Sequence, residues 1–355
     1  MLPPLTDCGV DSHFALLSRI RDRDAFLDAF ENYGAPSLSA ALPALLEERL
    51  AAMIAGRTYD LIHVERSYCG HFLLRLLHRL RSDWNTRPAI TLDLDEDDAA
   101  FYAQASEIHD RAGDLQMARQ YAIEARAFGK LIGETAGRFD RVWTSSPLES
   151  RALRGKYGVQ ALDARNSVAI TSATRLPRPS SRSLLFVGSM GHMPNVDAMR
   201  WFLDAIWPRL AGGGFTLDIV GHPLPPFLLR AGRQPGVNVH GWVPDLAPFY
   251  GRAALCIAPI RFGSGTRVKL LEYAANGVPV VSTRMAAEGL DFSDGRDIWL
   301  ADTSEGFASA IRDAVMHPGE AARRAKGARA LVMRLHDRRT VIAELAREFQ
   351  RVLGS

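Results

Sequence analysis

The second half of this 355-residue chain is built from short, predominantly apolar runs separated by segments of helical period. The runs fall at 184–187, 215–220, 237–240, 254–258, 278–282 and 298–301 and are rich in β-branched residues. A strand with one wet face alternates apolar and polar residues, whereas a strand apolar throughout needs cover on both faces. The intervening segments 195–210, 266–276 and 304–317 supply that cover, with apolar residues three and four apart. The pattern predicts a parallel sheet wrapped by helices, an α/β domain of Rossmann-like form.

The first half repeats the alternation more weakly, with strands expected at 60–64, 89–94 and 141–145 and one long helical stretch over 97–136. Its first 55 or so residues read as helical, with no opening strand and glycine-rich turn, so this domain is expected to lack its first strands. The halves meet at Thr174-Arg-Leu-Pro-Arg-Pro-Ser-Ser-Arg-Ser183, whose composition suits an exposed connector. The expected organisation is a first domain over 1–174, a linker over 175–183, a second domain over 184–336 and a terminal segment over 337–355. Val341, Leu345, Phe349 and Leu353 lie at helical spacing in that last segment, which is expected to pack back on the first domain. Two such domains enclose a cleft.

Composition removes several function classes. Forty-three basic against forty acidic residues leave a net charge of +3, too weak a field to argue for nucleic acid as a partner. Cys8, Cys69 and Cys256 lie far apart, without the paired spacing of a zinc site or a disulfide framework, which fits a reducing compartment. No run reaches the ~18 apolar residues of a membrane-spanning helix, and the N-terminus has no basic segment followed by an apolar one. The expected location is cytoplasmic, at the inner face of the membrane.

Two glycine turns follow strands of the second domain. The first is Val187-Gly-Ser-Met-Gly-His-Met-Pro-Asn195, and the second is Pro259-Ile-Arg-Phe-Gly-Ser-Gly-Thr-Arg-Val-Lys-Leu-Leu-Glu272. In open parallel sheets ligands bind outside the carboxyl ends of strands, so Gly188, Ser189 and Asn195 on one turn and Gly263, Ser264, Gly265 and Thr266 on the other can line one crevice. The second turn enters a helix whose first amides carry the positive end of its dipole, and Arg267 and Lys269 add charge, so a phosphate or diphosphate would fit there. Taken alone, the glycines can equally mark a tight turn. Glu272 falls on the stripe of Val268 and Ala275, where an unpaired carboxylate is costly, so a dedicated partner is expected. A third loop, His240-Gly-Trp-Val-Pro-Asp245, offers backbone groups near Val243 that can read the edge of a base, with Trp242 read chiefly as packing and His192 as a solvated loop residue.

The second domain resembles the donor-binding domain of family 4 glycosyltransferases, the retaining, metal-independent nucleotide-sugar enzymes of the GT-B fold. The resemblance rests on Phe186-Val-Gly-Ser-Met190, Pro194-Asn-Val-Asp197, His240-Gly-Trp-Val243, Gly263-Ser-Gly-Thr-Arg267 running on to Val281, and Glu288-Gly-Leu290, in that order. More loosely, 59–65, 92–97 and 139–146 resemble the family's acceptor-side strands. It implies two Rossmann-like domains facing across a cleft, with Glu272 holding the ribose hydroxyls and the backbone near Val243 meeting the base. The family's first glutamate falls at Ser264, and its usual arginine and lysine at Ser189 and Pro194, departures that suit a Gly-Ser-Gly-Thr-Arg branch in which Arg267 and Lys269 replace the lost charge.

The resemblance implies transfer of a sugar from a nucleoside diphosphate sugar, with no cofactor and no metal, to a glycan or lipid-linked acceptor in envelope or extracellular polysaccharide assembly, with peripheral membrane contact. Arg267 and Lys269 would stabilise the leaving diphosphate, and Asp95, from the acidic run 93–98, is the acceptor-side choice. A solvated loop end is the equal reading of those acids, and a divalent-metal site a weaker third. An epimerase of the same fold lacks a compelling set of acids, and a dinucleotide oxidoreductase lacks the third spaced glycine and the following acid. A catalytically inactive, glycosyltransferase-like binding or scaffold protein is the remaining alternative.

Overall fold

The structure is a computed structural model that describes residues 59–79, 87–170 and 182–354. The helical reading of the first 55 or so residues, Cys8 and all but the end of the predicted linker lie outside the described residues.

In the first domain β1 (Leu61–Glu65), β2 (Ala89–Asp93), β3 (Arg141–Thr144) and β4 (Ala161–Asp163) form a parallel sheet in that order. Helices α1 (Ser67–Arg79), α2 (Asp98–Arg111), α3 (Leu115–Thr135) and α4 (Pro147–Tyr157) connect the strands. The single helix expected over 97–136 is a hairpin of two. Asp97 caps α2 through Ala99 N and Ala100 N, Gly113 turns the chain at φ 78°, and Asp114 caps α3 through Met117 N. Apolar periodicity runs through this break, but a left-handed glycine just past α2 and an aspartate that satisfies the free first amides of α3 favour a stop and restart.

The second sheet contains β5 (Ser183–Val187), β6 (Thr216–Val220), β7 (Val237–His240), β8 (Leu255–Ala258), β9 (Val280–Ser282) and β10 (Trp299–Leu300). Its order is β10-β9-β8-β5-β6-β7, with every neighbouring pair parallel. Around it lie α5 (Met193–Trp201), α6 (Pro226–Ala231), α7 (Ala247–Arg252), α8 (Val268–Ala275), α9 (Arg284–Ala287), α10 (Ser304–Met316) and α11 (Pro318–Leu335). Leu184, Phe186, Leu217, Ile219, Leu255, Ile257 and Val281 are buried between the helical layers, as strands covered on both faces require. The helix expected over 195–210 widens to a π turn at Phe202–Ile206 before a last helical turn at Trp207–Leu210. Pro208 has no amide to donate back along that helix, which accounts for the local rearrangement.

The last helix, α12 (Arg338–Leu353), leaves the second domain and lies on the first. Phe349 packs its ring 5.1 Å from Trp143 and 5.4 Å from His63. Val341 is buried, but Leu353, the last member of the expected stripe, is 52% exposed and Val352 takes the inward place. The two chain crossings between domains are tied together: Val168 donates its amide to His336 O at 2.9 Å and accepts from Arg338 N at 3.1 Å.

Candidate functional site

In the second sheet the chain steps outward from β5 to β6 and β7, then returns to the other side of β5 for β8. The loops leaving β5 and β8 diverge at this reversal, the place where open α/β sheets form a crevice. Both predicted glycine turns are these two loops. They are joined by a side-chain bridge, in which Lys269 Nζ donates to Asn195 Oδ1 and Asn195 Nδ2 donates to Ser189 O at 2.8 Å. Gly188 closes β5 with its amide on Val220 O at 3.0 Å, and the Ser189 hydroxyl donates to His222 O at 3.3 Å. Val243 belongs to the loop after β7, two strands from β5, where it packs on the core.

The charges of this crevice are strained by burial. Lys269 lies 4.2 Å above the Phe186 ring. Burial, with Arg267 beside it, brings its ammonium down to about 7. Arg267 is 8% exposed, its guanidinium turned onto the carbonyls of Ser264 and Gly265 and its Nε–H without a partner. Burial lowers its pKa as well, against the pull of Glu96, Glu149 and Glu288. Glu272 is half-buried, and among the described residues its carboxylate makes no hydrogen bond or ion pair. Nor is its stripe wholly inward, because Val268 is 37% exposed. Burial raises the Glu272 carboxyl and Lys269 draws it back down.

The carboxyl ends of the first sheet face this crevice. Glu96 follows β2, Ser145 and Glu149 follow β3, and Asn166 follows β4. All four reach the loop after β8: Ser264 Oγ donates to Glu96 at 2.8 Å, Gly265 N to Glu149 at 2.8 Å, Thr266 N to Ser145 Oγ at 3.3 Å, and Asn166 Nδ2 to Thr266 Oγ1 at 2.7 Å. Gly263 N donates to Gln104 Oε1 on α2 at 2.9 Å. The loop amides expected to hold a phosphate are thus held by first-domain side chains, one of them a carboxylate. Burial pushes the Glu149 carboxyl up to about 7, against the stabilising Ser145 hydroxyl and Gly265 amide.

Asp95 lies on the cleft wall in a left-handed turn at φ 58°, paired with Arg66 at 3.3 Å, and burial raises its pKa. Trp242 is 76% exposed, so the packing expected of it is not found. His192 is exposed but stacks on Phe101 of the first domain, with ring centres 5.9 Å apart. Glu149 and Arg66 were not singled out from sequence. Glu149 reads as the third-residue partner of the Ser146 helix cap, a role it also fills. Among the described residues no group of three or more His, Cys, Asp or Glu side chains gathers as a metal site would require.

Residues 181–317 match the family model described as glycosyl transferases group 1. No curated protein is similar enough in sequence to match. Solved structures are similar in fold. Sucrose-phosphate synthase from Thermosynechococcus elongatus superposes with a TM-score of 0.70 at 16% identity, over 89% of this chain and 79% of that one. A glycosyltransferase from Rickettsia africae gives 0.66 at 14% identity, over 96% and 85%. Anabaena HepE, solved in complex with UDP and glucose, gives 0.62 at 15% identity, over 87% and 82%. The described chain has the GT-B glycosyltransferase fold, and its second domain carries the pattern of the group 1 glycosyl transferases.

Proposed function

We propose that this protein transfers a sugar, with retention, from a nucleoside diphosphate hexose to a hydroxyl of a glycan or lipid-linked acceptor, in the assembly of cell-envelope or extracellular polysaccharide. The observation that carries the reading is the buried Arg267 and the half-buried Lys269 at the point where the β5 and β8 loops diverge, with Glu272, one helical turn beyond, bonded to none of the described residues. A diphosphate beside them would offer an acceptor to the free Arg267 Nε–H and restore the charge that burial takes from Lys269. Vicinal ribose hydroxyls would fill the open capacity of Glu272. Anabaena HepE, with UDP in its solved complex, makes uridine the first base to test.

In the reaction the bond from the anomeric carbon to the phosphate oxygen breaks and its electron pair stays on the diphosphate. The acceptor oxygen bonds to the same face of that carbon, and its proton passes to the leaving phosphate. Negative charge develops at the diphosphate, where Arg267, Lys269 and the start of α8 stabilise it, so this reading needs neither a metal nor a cofactor. Asp95 lies on the acceptor side. A lipid-linked acceptor places the work at the inner face of the membrane through peripheral contact. No helix of the described residues is long and apolar enough to cross a membrane.

The test is thermal stability and turnover with UDP, GDP and ADP and their hexose conjugates. A ligand at 100 times its Kd stabilises the fold by about 2.7 kcal/mol. One diphosphate is expected to raise the Tm of the wild type, and Glu272→Ala to lose most of that rise. Binding without sugar transfer to any acceptor would favour an inactive scaffold.

A further inference from the structure

Opposite the glycine loop stands a carboxylate with capacity to spare. Glu96 accepts from Ser264 Oγ at 2.8 Å through Oε2 and from Arg66 Nη1 at 2.7 Å through Oε1. A carboxylate offers about four lone-pair positions, so these two bonds leave room for two more.

The loop is shaped to admit it. Gly265 holds φ 73°, and a Cβ there would lie 3.1 Å from Glu96 Cβ, so a side chain at 265 would force Glu96 back. At 264 a short hydroxyl reaches Glu96 as a donor, where a carboxylate would oppose it as a like charge. Arg66 and Asp95 are the two non-glycine residues with left-handed φ among the described residues, at 72° and 58°. They sit at the ends of adjacent strands and pair at 3.3 Å beside Glu96.

A second observation lies at the same place. Arg267 is nine-tenths buried, its Nε–H has no acceptor, and Glu96 is first among the charges that oppose its loss of a proton. The site therefore lacks an anion on the loop side and has an underused acceptor on the facing side. A sugar diphosphate is a molecule of that polarity, with anionic phosphates at one end and hydroxyl donors immediately beyond.

We propose that Glu96 binds the sugar of the donor, accepting from its hydroxyls, so that the second domain holds the nucleotide and the first selects the sugar. This rests on the donor-site reading above. Arg66 is the positioning residue that fixes the carboxylate.

The test is titration calorimetry on the full chain with UDP, GDP and ADP and with their glucose, galactose, mannose and N-acetylglucosamine conjugates. Glu96→Gln is expected to weaken the sugar nucleotide about tenfold while leaving the bare diphosphate within about twofold, as for loss of a charged acceptor. Glu96→Asp, which keeps the charge facing Arg66 but withdraws it by one methylene, should show the same sugar-selective loss if the glutamine variant folds poorly. The exchange Glu96→Ser with Ser264→Glu returns a carboxylate from the other wall and should recover part of the affinity. Unchanged affinity for the sugar nucleotide, equal weakening of both ligands, or a wild type that binds a diphosphate but none of its conjugates would each overturn the assignment. If no diphosphate binds the wild type, the donor-site reading falls first and this assignment with it.

Discussion

Lys269 is the side chain whose charge depends most on what fills the cleft. Held down to about 7 by burial and by Arg267, it is largely neutral at pH 8 in the empty site. A diphosphate would restore its proton, so binding at pH 8 should take up as much as about one proton, and Lys269→Met should abolish most of that uptake. Titration calorimetry in buffers of different ionisation enthalpy measures it. Glu149 acts in the opposite sense, because its carboxylate holds the Gly265 amide that an anion would use. Glu149→Gln is expected to tighten nucleoside diphosphate binding at pH 8 by about threefold or more, since a like charge leaves the site.

The same two residues give opposite signs in the stability of the empty protein. Glu149 keeps its proton to about pH 7 when folded but releases it near 4.5 when unfolded, so the fold binds the extra proton between those values. Stability therefore falls as pH rises across that interval. Lys269 releases its proton near 7 when folded and near 10.5 when unfolded, so stability rises with pH between them. Melting curves should show Glu149→Gln flattening the first slope and Lys269→Met the second.

At the scale of elements, the loop from β8 to α8 decides the site. Gly265 is needed there twice, for its φ of 73° and for the space that Glu96 occupies. Gly265→Ala is expected to lower unfolding stability by about 1–2 kcal/mol from the left-handed backbone alone, and to weaken sugar-nucleotide binding further by displacing Glu96. Denaturant unfolding and calorimetry separate the two effects. The loop itself was legible in the sequence, because a strand, two glycines, a basic pair and a helix ended by Asn276-Gly277 form one local pattern. The break at Gly113 is hidden in the sequence, although its signals are equally local, because the apolar period continues through it and masks the cap. The partner expected for Glu272 was assigned by a sound argument about buried charge. The structure leaves the carboxylate half-buried, so the cost that argument counts on is only partly incurred.

At the scale of the molecule, α12 links the domains from outside the cleft. Its Phe349 packs against both Trp143 and His63 of the first domain, and the chain crossings are paired by a bridge between Val168 and Asp337. Phe349→Ala is expected to cost about 1–3 kcal/mol, less than a fully buried phenylalanine would, and to lower Tm accordingly without altering the β5 and β8 loops. Calorimetric melting together with nucleoside diphosphate affinity checks both parts. Across the cleft the contacts are largely polar or between isolated aromatic rings, including Arg165 with Asp291 at 2.7 Å, the Phe101–His192 stack and Phe101 on Phe262. Such contacts can exchange for ligand contacts more readily than a continuous apolar interface could.

Local sequence is enough for the second parallel sheet, three of the four strands of the first, the strand–glycine–helix turns and the loop residues 263–272, because each depends on short-range period, turn chemistry and charge within about two dozen residues, whereas the three-residue β4 is too short to show a period. Only the tertiary structure decided which first-domain groups meet that loop. Glu96, Gln104, Ser145, Glu149 and Asn166 come from three different strand ends and two helices, 100 to 168 residues away in sequence, and no local pattern marks them as a set. They converge because parallel strands in both sheets present their carboxyl ends to one cleft, a consequence of topology that the chain expresses only once it is folded.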